Sequence, residues 1–332
     1  MSHDREKAYP VILTAGDRGR ARPVLGINKG LLELAGAPVF THVLATLEQS
    51  RCVERIYVVG PRAPLEAALK RPGIPFRGGK PVRVLEQWES LYLNVWNTFQ
   101  AICQDKGLGE IESLDTAVLV VPCDIPLLIL EEVEEFVASR DMGRFDYVMG
   151  ISSERTLSRY YPQRHRKGMR LMCFHMREGS FRQNNLHLVK PMRLKNRHYV
   201  QKVYDYRLQR EWGSILRLFW EIFRTEEGTV RIIVQYALMH LASLLYRWPG
   251  LSFQRIPAGL LAKERVEKSI STLLGTRFTT AETRFGGAAL DIDTPEHYGA
   301  IQENFEAWIL TQRESLPSPE NEPLFLASQT GV

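Results

Sequence analysis

The stretch that most constrains this chain is residues 11–39, VILTAGDRGRARPVLGINKGLLELAGAPV. An apolar run, Val11-Ile12-Leu13, predicts a buried strand. A small, turn-prone, basic loop follows it: Thr14-Ala15-Gly16-Asp17-Arg18-Gly19-Arg20. Small residues let a backbone come close to a ligand, so bare N–H groups can face phosphate oxygens. Arginine and lysine add a charge that does not vary near neutral pH. Lys29 then precedes a short strand-like piece, a Gly36 turn and a helix that begins near Pro38. The loop matches neither G-x-x-x-x-G-K-[ST] nor G-x-G-x-x-G, which sets aside the two commonest phosphate-binding loops.

Beyond this stretch, strands and helices alternate. Apolar runs predict strands at 55–60, 82–85, 116–121 and 146–150. Helical periodicity predicts helices at 38–49, 63–69, 91–103 and 129–139. This order indicates a mainly parallel sheet in a three-layer α/β domain, Rossmann-like in type. The most apolar strand, Thr116–Val121, reads as the sheet's centre, covered on both faces. Ligands of such sheets bind at the carboxyl ends of the strands, where the Gly16 loop lies.

Asp124 follows the central strand directly and sits between Pro122 and Pro126. A carboxylate held there can bind Mg²⁺, which takes carboxylate and phosphate oxygens together. A helix cap is the plainer reading of the same residue. Near the other end, Asp291-Ile292-Asp293-Thr294-Pro295-Glu296 starts the last helix. Thr, Pro and Glu make a good helix start, but capping does not account for two preceding acids. Asp291 and Asp293 are read as facing opposite ways, so that only one reaches a metal.

These motifs resemble the MobA-like nucleotidyltransferases, which share a GT-A-type nucleotide-binding fold. Arg20 stands four residues past Gly16, as the family's Arg does, and Asn28–Pro38 is close to the family's Lys tail. Ala21-Arg22 replaces the family's common Met-Gly, and the run from Arg20 to Lys29 is longer than usual. The resemblance implies nucleotide contacts from Leu13, Thr14, Ala15, Gly16 and Arg18, with Lys29 and Arg20 as catalytic cations. It also implies one Mg²⁺ or Mn²⁺ on Asp124 and Asp293, with Asp291 as second choice. The activity implied is transfer of an NMP group from an NTP to a phosphorylated acceptor, with pyrophosphate released. In related enzymes the middle region contacts the acceptor, and Arg182, Asn184 and Asn185 are the residues expected to do so. A nucleotide-binding regulatory module and a nucleotide-sugar glycosyltransferase remain as alternatives.

The expected organisation is a nucleotide-binding core over 9–150, a basic acceptor-side region over 151–212 and a helical insertion over 213–262. A closing strand and helix span 263–312, and a polar, disordered tail spans 313–332. Within the basic region, 170–176 reads as a strand, 179–191 as loop then strand, and 274–282 as a further strand. Charge is placed unevenly: residues 155–210 carry 15 Lys and Arg against two acids, leaving −8 for the rest of a chain whose total is +5. Such lopsidedness points to an anionic partner, a phosphorylated acceptor or an anionic membrane, while no module for specific nucleic-acid binding is recognised. The apolar run 232–246 is shorter than the about 20 residues that span a bilayer. It suits a lid, a homodimer surface or an in-plane membrane helix. Four cysteines without a C-x-x-C pair and a polar N-terminus lead us to expect a cytoplasmic protein, in part membrane-peripheral.

Overall fold

The computed structural model describes residues 7–18, 23–197 and 262–314. The expectations for Arg20, for the helical insertion with its membrane and dimer readings, and for the tail fall outside these residues. No described helix is long and apolar enough to cross a membrane.

The first half of the chain winds β1 (Tyr9–Thr14), α1 (Val39–Gln49), β4 (Val53–Gly60), α2 (Arg62–Leu69), β5 (Val82–Glu86), α3 (Leu91–Asp105) and β6 (Val118–Pro122). Two short strands, β2 (Glu33–Leu34) and β3 (Ala37–Pro38), pair with each other, and a one-turn helix, α4 (Glu110–Asp115), precedes β6. The second half supplies α5 (Leu130–Ala138), β7 (Tyr147–Ser153), α6 (Glu154–Leu157), β8 (Phe174–Met176) and β9 (Gly179–Val189). The last described stretch supplies α7 (Lys263–Leu274), β10 (Phe278–Thr283) and α8 (Pro295–Arg313).

The main sheet runs β10-β7-β9-β6-β1-β4-β5, with β8 beside β9. β6 is its middle strand, as its apolar sequence led us to expect. Pairs β1–β4, β1–β6, β4–β5 and β7–β10 are parallel; β9 alone of the seven runs antiparallel, between β6 and β7. Alternation along β1 sorts side chains to two cores. Val11 and Leu13 join Phe40, Val43 and Leu44 of α1 and Val133 and Phe136 of α5. Ile12 joins Phe99 and Ile102 of α3 and Leu274 of α7 on the other face. A third cluster, built on Trp308, Tyr160, Val39, Leu34, Leu290 and Ile292, docks α8 against the sheet's ligand edge.

Three local expectations are corrected. Residues 170–173 alternate buried and exposed as a strand does, but regular pairing begins only at Phe174. Gly179 opens a full strand rather than a loop, because it closes the β8–β9 hairpin. The expected strand from Leu274 starts later, at Phe278, because Gly275 in the left-handed region ends α7 first. The basic stretch is also less of an open positive face than its composition suggests. Lys190 and Arg193 both pair with Asp115, Lys167 with Glu303 and Arg182 with Asp291, so acids from elsewhere in the chain fold onto it.

The pairing of β7 with β9 slips between Met149 and Ile151, and Asn184 lies over the gap. Its amide donates to Ser152 Oγ at 3.3 Å and Thr283 Oγ1 at 2.8 Å, which ties β9 to β7 and β10. A Cβ on Gly150 would stand 1.9 Å from Asn184 Oδ1, so only glycine leaves room for the amide. Gly150→Ala is therefore expected to destabilise the fold by about 1–3 kcal/mol, the usual cost of overpacking a closed core. Urea unfolding measures this, and a change near zero would contradict the packing described.

Candidate active site

The site lies at the carboxyl ends of β1 and β6. Leaving β1, the chain is held by Ala15 N–H donating to Val59 O at 2.8 Å and by Thr14 O accepting from Cys123 N at 2.9 Å. Leu13 is wholly buried and its strand is paired on both sides, so its side chain belongs to the core. Thr14 and Ala15 are buried too, and their backbone is engaged by the sheet. Gly16 is needed for space: a Cβ there would stand 2.6 Å from Asn94 Nδ2 and 3.2 Å from Gln87 Oε1.

The loop's N–H groups are not all bare. Gln87 Oε1, just past β5, accepts from Asp17 N at 2.8 Å and Arg18 N at 3.3 Å, while Gln87 Nε2 donates to Asp17 Oδ1 at 2.6 Å. Arg18 leans toward the same edge, with Nη1 donating to Gln87 O at 3.1 Å and Nη2 3.6 Å from Glu86. The longer run before Lys29 has a defined shape where it is described. Val24 and Ile27 bond to each other across a tight turn in which Leu25 and Gly26 both take positive φ.

Lys29 opens a single 3-10 turn, Lys29–Leu31, capped by Asn28 Oδ1 accepting from Gly30 N at 2.8 Å. Asn28 Nδ2 also donates to Ala15 O at 2.9 Å and Asp17 Oδ2 at 3.3 Å, fixing this turn to the β1 loop. From there Lys29 Nζ reaches Asp124 Oδ2 at 3.0 Å and Asp293 Oδ1 at 2.6 Å. One ammonium thus bridges carboxylates from two segments far apart in sequence. The two segments are also joined by backbone, Ile292 N donating to Asp124 O at 3.0 Å.

Asp291 and Asp293 do not face opposite ways. Side chains two apart in extended backbone share a face, and here Leu290 and Ile292 take the core side. Asp291 and Asp293 act on each other electrostatically, and Arg182 Nη2 from β9 donates to Asp291 Oδ1 at 2.9 Å. Burial pushes the Asp291 carboxyl up to about 6 against the pull of Arg182, and the carboxylates of Asp293 and Asp124 push the same way. Burial alone would raise Asp293 as well, but Lys29 outweighs it and holds Asp293 below its ordinary value. Burial opposes the charge on Lys29, yet Asp124 and Asp293 together raise its pKa, so it stays an ammonium at neutral pH.

Of the expected acceptor residues, only Arg182 reaches this cluster. Asn184 is wholly buried with its amide used within the sheet, and Asn185 donates to Ala288 O at 3.0 Å from a left-handed backbone. In this structure both amides serve the framework of the fold. Residues not anticipated from the sequence are Asn28, Gln87, Asn94, Glu132 and His297. Asn28 lies beside Lys29 and Gln87 just past the end of β5, where the strand-end rule could have found them, whereas Asn94 lies in α3. His297, in the first turn of α8, feels Asp293 and Arg182, though burial is the larger effect and lowers its pKa.

The segment that carries Asp291 and Asp293 is fastened from behind. Glu132 of α5 is wholly buried; Oε2 accepts from Ala288 N at 2.9 Å, and Oε1 accepts from Thr283 Oγ1 at 2.8 Å and Gly286 N at 3.2 Å. Gln312 adds a bond from Gly287 N to its Oε1 at 3.1 Å.

A family model of the MobA-like NTP transferase domain matches residues 10–211. The chain belongs to the MobA-like NTP transferase family. As a member it is a nucleotidyltransferase that draws on a nucleoside triphosphate. The matched span holds Lys29, Asp124 and Arg182, whereas Asp291 and Asp293 lie beyond it. No curated protein matches the chain in sequence. Among solved structures it is similar to a hypothetical transferase from Thermus thermophilus, at 18% identity and a TM-score of 0.53, covering 86% of this chain and 97% of that one. It is also similar to a 4-diphosphocytidyl-2C-methyl-D-erythritol synthase from Anaerococcus prevotii, at 12% identity and a TM-score of 0.46, covering 91% and 97%. The likeness to the first bears on the fold alone, and this family member has the expected mostly parallel α/β architecture.

Burial is the main cause that raises the Glu132 carboxyl, to about 7, even with its three donors. A folded-state pKa above the unfolded one means that this group's contribution to stability is complete below about pH 4.5 and is lost as pH rises through about 7. The full swing amounts to about 3 kcal/mol. Glu132→Gln removes it, so the stability difference between wild type and variant shrinks as pH rises from about 4.5 to 7.5. Urea unfolding across that range measures it; parallel pH curves would contradict the assignment.

Proposed function

We propose that this MobA-like NTP transferase moves an NMP group from an NTP to a phosphorylated small-molecule or lipid-precursor acceptor, with release of pyrophosphate. The observation that carries this reading is the convergence of Lys29, Asp124 and Asp293 at the strand ends, 3.0 and 2.6 Å across the two contacts. A cation between two carboxylates, beside a glycine loop, is a place where triphosphate charge can be met.

Asp124 and Asp293 fit a divalent metal. Their oxygens are hard donors turned to a common cation, and Mg²⁺ prefers one or two carboxylates completed by phosphate oxygens and water. Mg²⁺ or Mn²⁺ held there would supply Lewis-acid stabilisation of phosphate oxygens.

The other contributions come from the chain. Lys29 places a fixed positive charge beside the transferring phosphoryl group and the departing pyrophosphate. Arg182, held by Asp291 through Nη2 beside the cluster, is the cation placed to meet the acceptor's phosphate. An acceptor phosphate oxygen attacks the α-phosphorus in line; the bond from that phosphorus to the β-bridging oxygen breaks, and pyrophosphate carries away the electron pair. A phosphate is already a nucleophile at pH 7, so no general base is required. Catalysis is then positioning and electrostatics.

The test is pyrophosphate release from each of the four NTPs with Mg²⁺, across a panel of phosphorylated acceptors. Lys29→Met and Asp124→Asn are each expected to lower kcat by about 10²–10³, the usual cost of removing one charged contact to a transition state. Arg182→Ala should raise KM for the acceptor more than KM for the NTP. Turnover unchanged in the first two variants would overturn the reading.

A further inference from the structure

Three facts about Lys29 lead beyond its role as a phosphate-neutralising cation. Its backbone is fixed on a capped turn that Asn28 bonds to Ala15 and Asp17 of the β1 loop. Its ammonium contacts Asp124 Oδ2 and Asp293 Oδ1 at once. Its side chain is only 19% exposed, so the ammonium is seated between the carboxylates and not merely near them. The oxygens that suit a divalent cation are therefore the ones an internal monovalent cation holds.

We infer that Lys29 is a built-in competitor for the metal, which makes tight divalent-cation binding conditional on nucleotide. This rests on the proposed metal reading of Asp124 and Asp293. The charges support it. Asp124, Asp291 and Asp293 are faced by Lys29 and Arg182, and Arg182 is committed to Asp291. Asp124 and Asp293 thus share the charge of Lys29, and a second cation meets its repulsion at short range.

An NTP changes this balance. Its phosphates at the β1 loop attract the ammonium, and the long lysine stem can swing while its turn stays fixed. Asp124 and Asp293 are then left with unneutralised charge at the moment a metal–nucleotide complex arrives. Because linkage is reciprocal, nucleotide and metal each strengthen the other's binding by the same factor. The device discourages the free enzyme from taking up divalent ions without substrate.

The test uses Mn²⁺ as probe and the full chain without nucleotide, with bound Mn²⁺ read by loss of the free-ion EPR signal. Wild type is expected to bind weakly. Lys29→Met and Lys29→Gln, each checked for folding by circular dichroism, should bind about tenfold tighter or more, within the usual range of coupling between sites. Adding Asp124→Asn or Asp293→Asn to either variant should abolish the gain. If both Lys29 variants bind Mn²⁺ within twofold of wild type while Asp124→Asn weakens binding, the metal site stands and the competitor role is overturned. If none of the substitutions, at Lys29, Asp124 or Asp293, alters Mn²⁺ binding, the metal reading falls and this inference falls with it. Two different Lys29 replacements guard against a single variant that misfolds.

Discussion

The bridge from Lys29 to Asp124 and Asp293 depends on three chain segments arriving within a few ångströms of one another, and little in the molecule is independent of that. The 3-10 turn tied to the β1 loop brings Asn28 and Lys29, the turn after β6 brings Asp124, and the segment before α8 brings Asp291 and Asp293. Like charges as close as Asp124, Asp291 and Asp293 repel strongly where water is scarce, so they persist only with cations among them. Lys29 and Arg182 are those cations. The raised carboxyl of Asp291 and the lowered one of Asp293 are the two responses of one crowded pair.

Rigidity behind the cluster comes from the antiparallel strand β9 and from Glu132. β9 carries Arg182 into the site at one end of its slipped pairing and, with Asn184 and Asn185, ties the sheet to the 286–289 turn. Glu132 closes that turn from the opposite side with three accepted hydrogen bonds. Buried polar groups arranged this way are expensive when half satisfied and stiff when fully satisfied. That stiffness is what an electrostatic site needs, because prearranged charge does its work without reorganising during the reaction.

Much of this was legible in the sequence, for identifiable reasons. Regular alternation of apolar runs made the parallel α/β sheet readable, and an Asp just past the most apolar strand marked the ligand edge. The Asp-x-Asp before Thr294-Pro295-Glu296 pointed to the same place from the far end. What escaped was set by tertiary pairing. Asn184 and Asn185 look like exposed ligand contacts in the sequence, but a pairing slip against Gly150 turns one into the core and the other onto Ala288. The basic stretch looks like an open positive face until Asp115, Asp291 and Glu303 fold onto it. Gln87 and Glu132 have no local pattern that sets them apart, since their side-chain partners lie 69 or more residues away.

The account is tested most directly by titrating each of the four NTPs, with Mg²⁺, into wild type and into a Lys29→Met/Asp124→Asn double variant by calorimetry. One NTP should bind wild type, and the double variant should lose at least about tenfold in its affinity, some 1.4 kcal/mol. Equal affinity in the two proteins would mean that the triphosphate is held elsewhere, and the convergence at Lys29 would then be structural only.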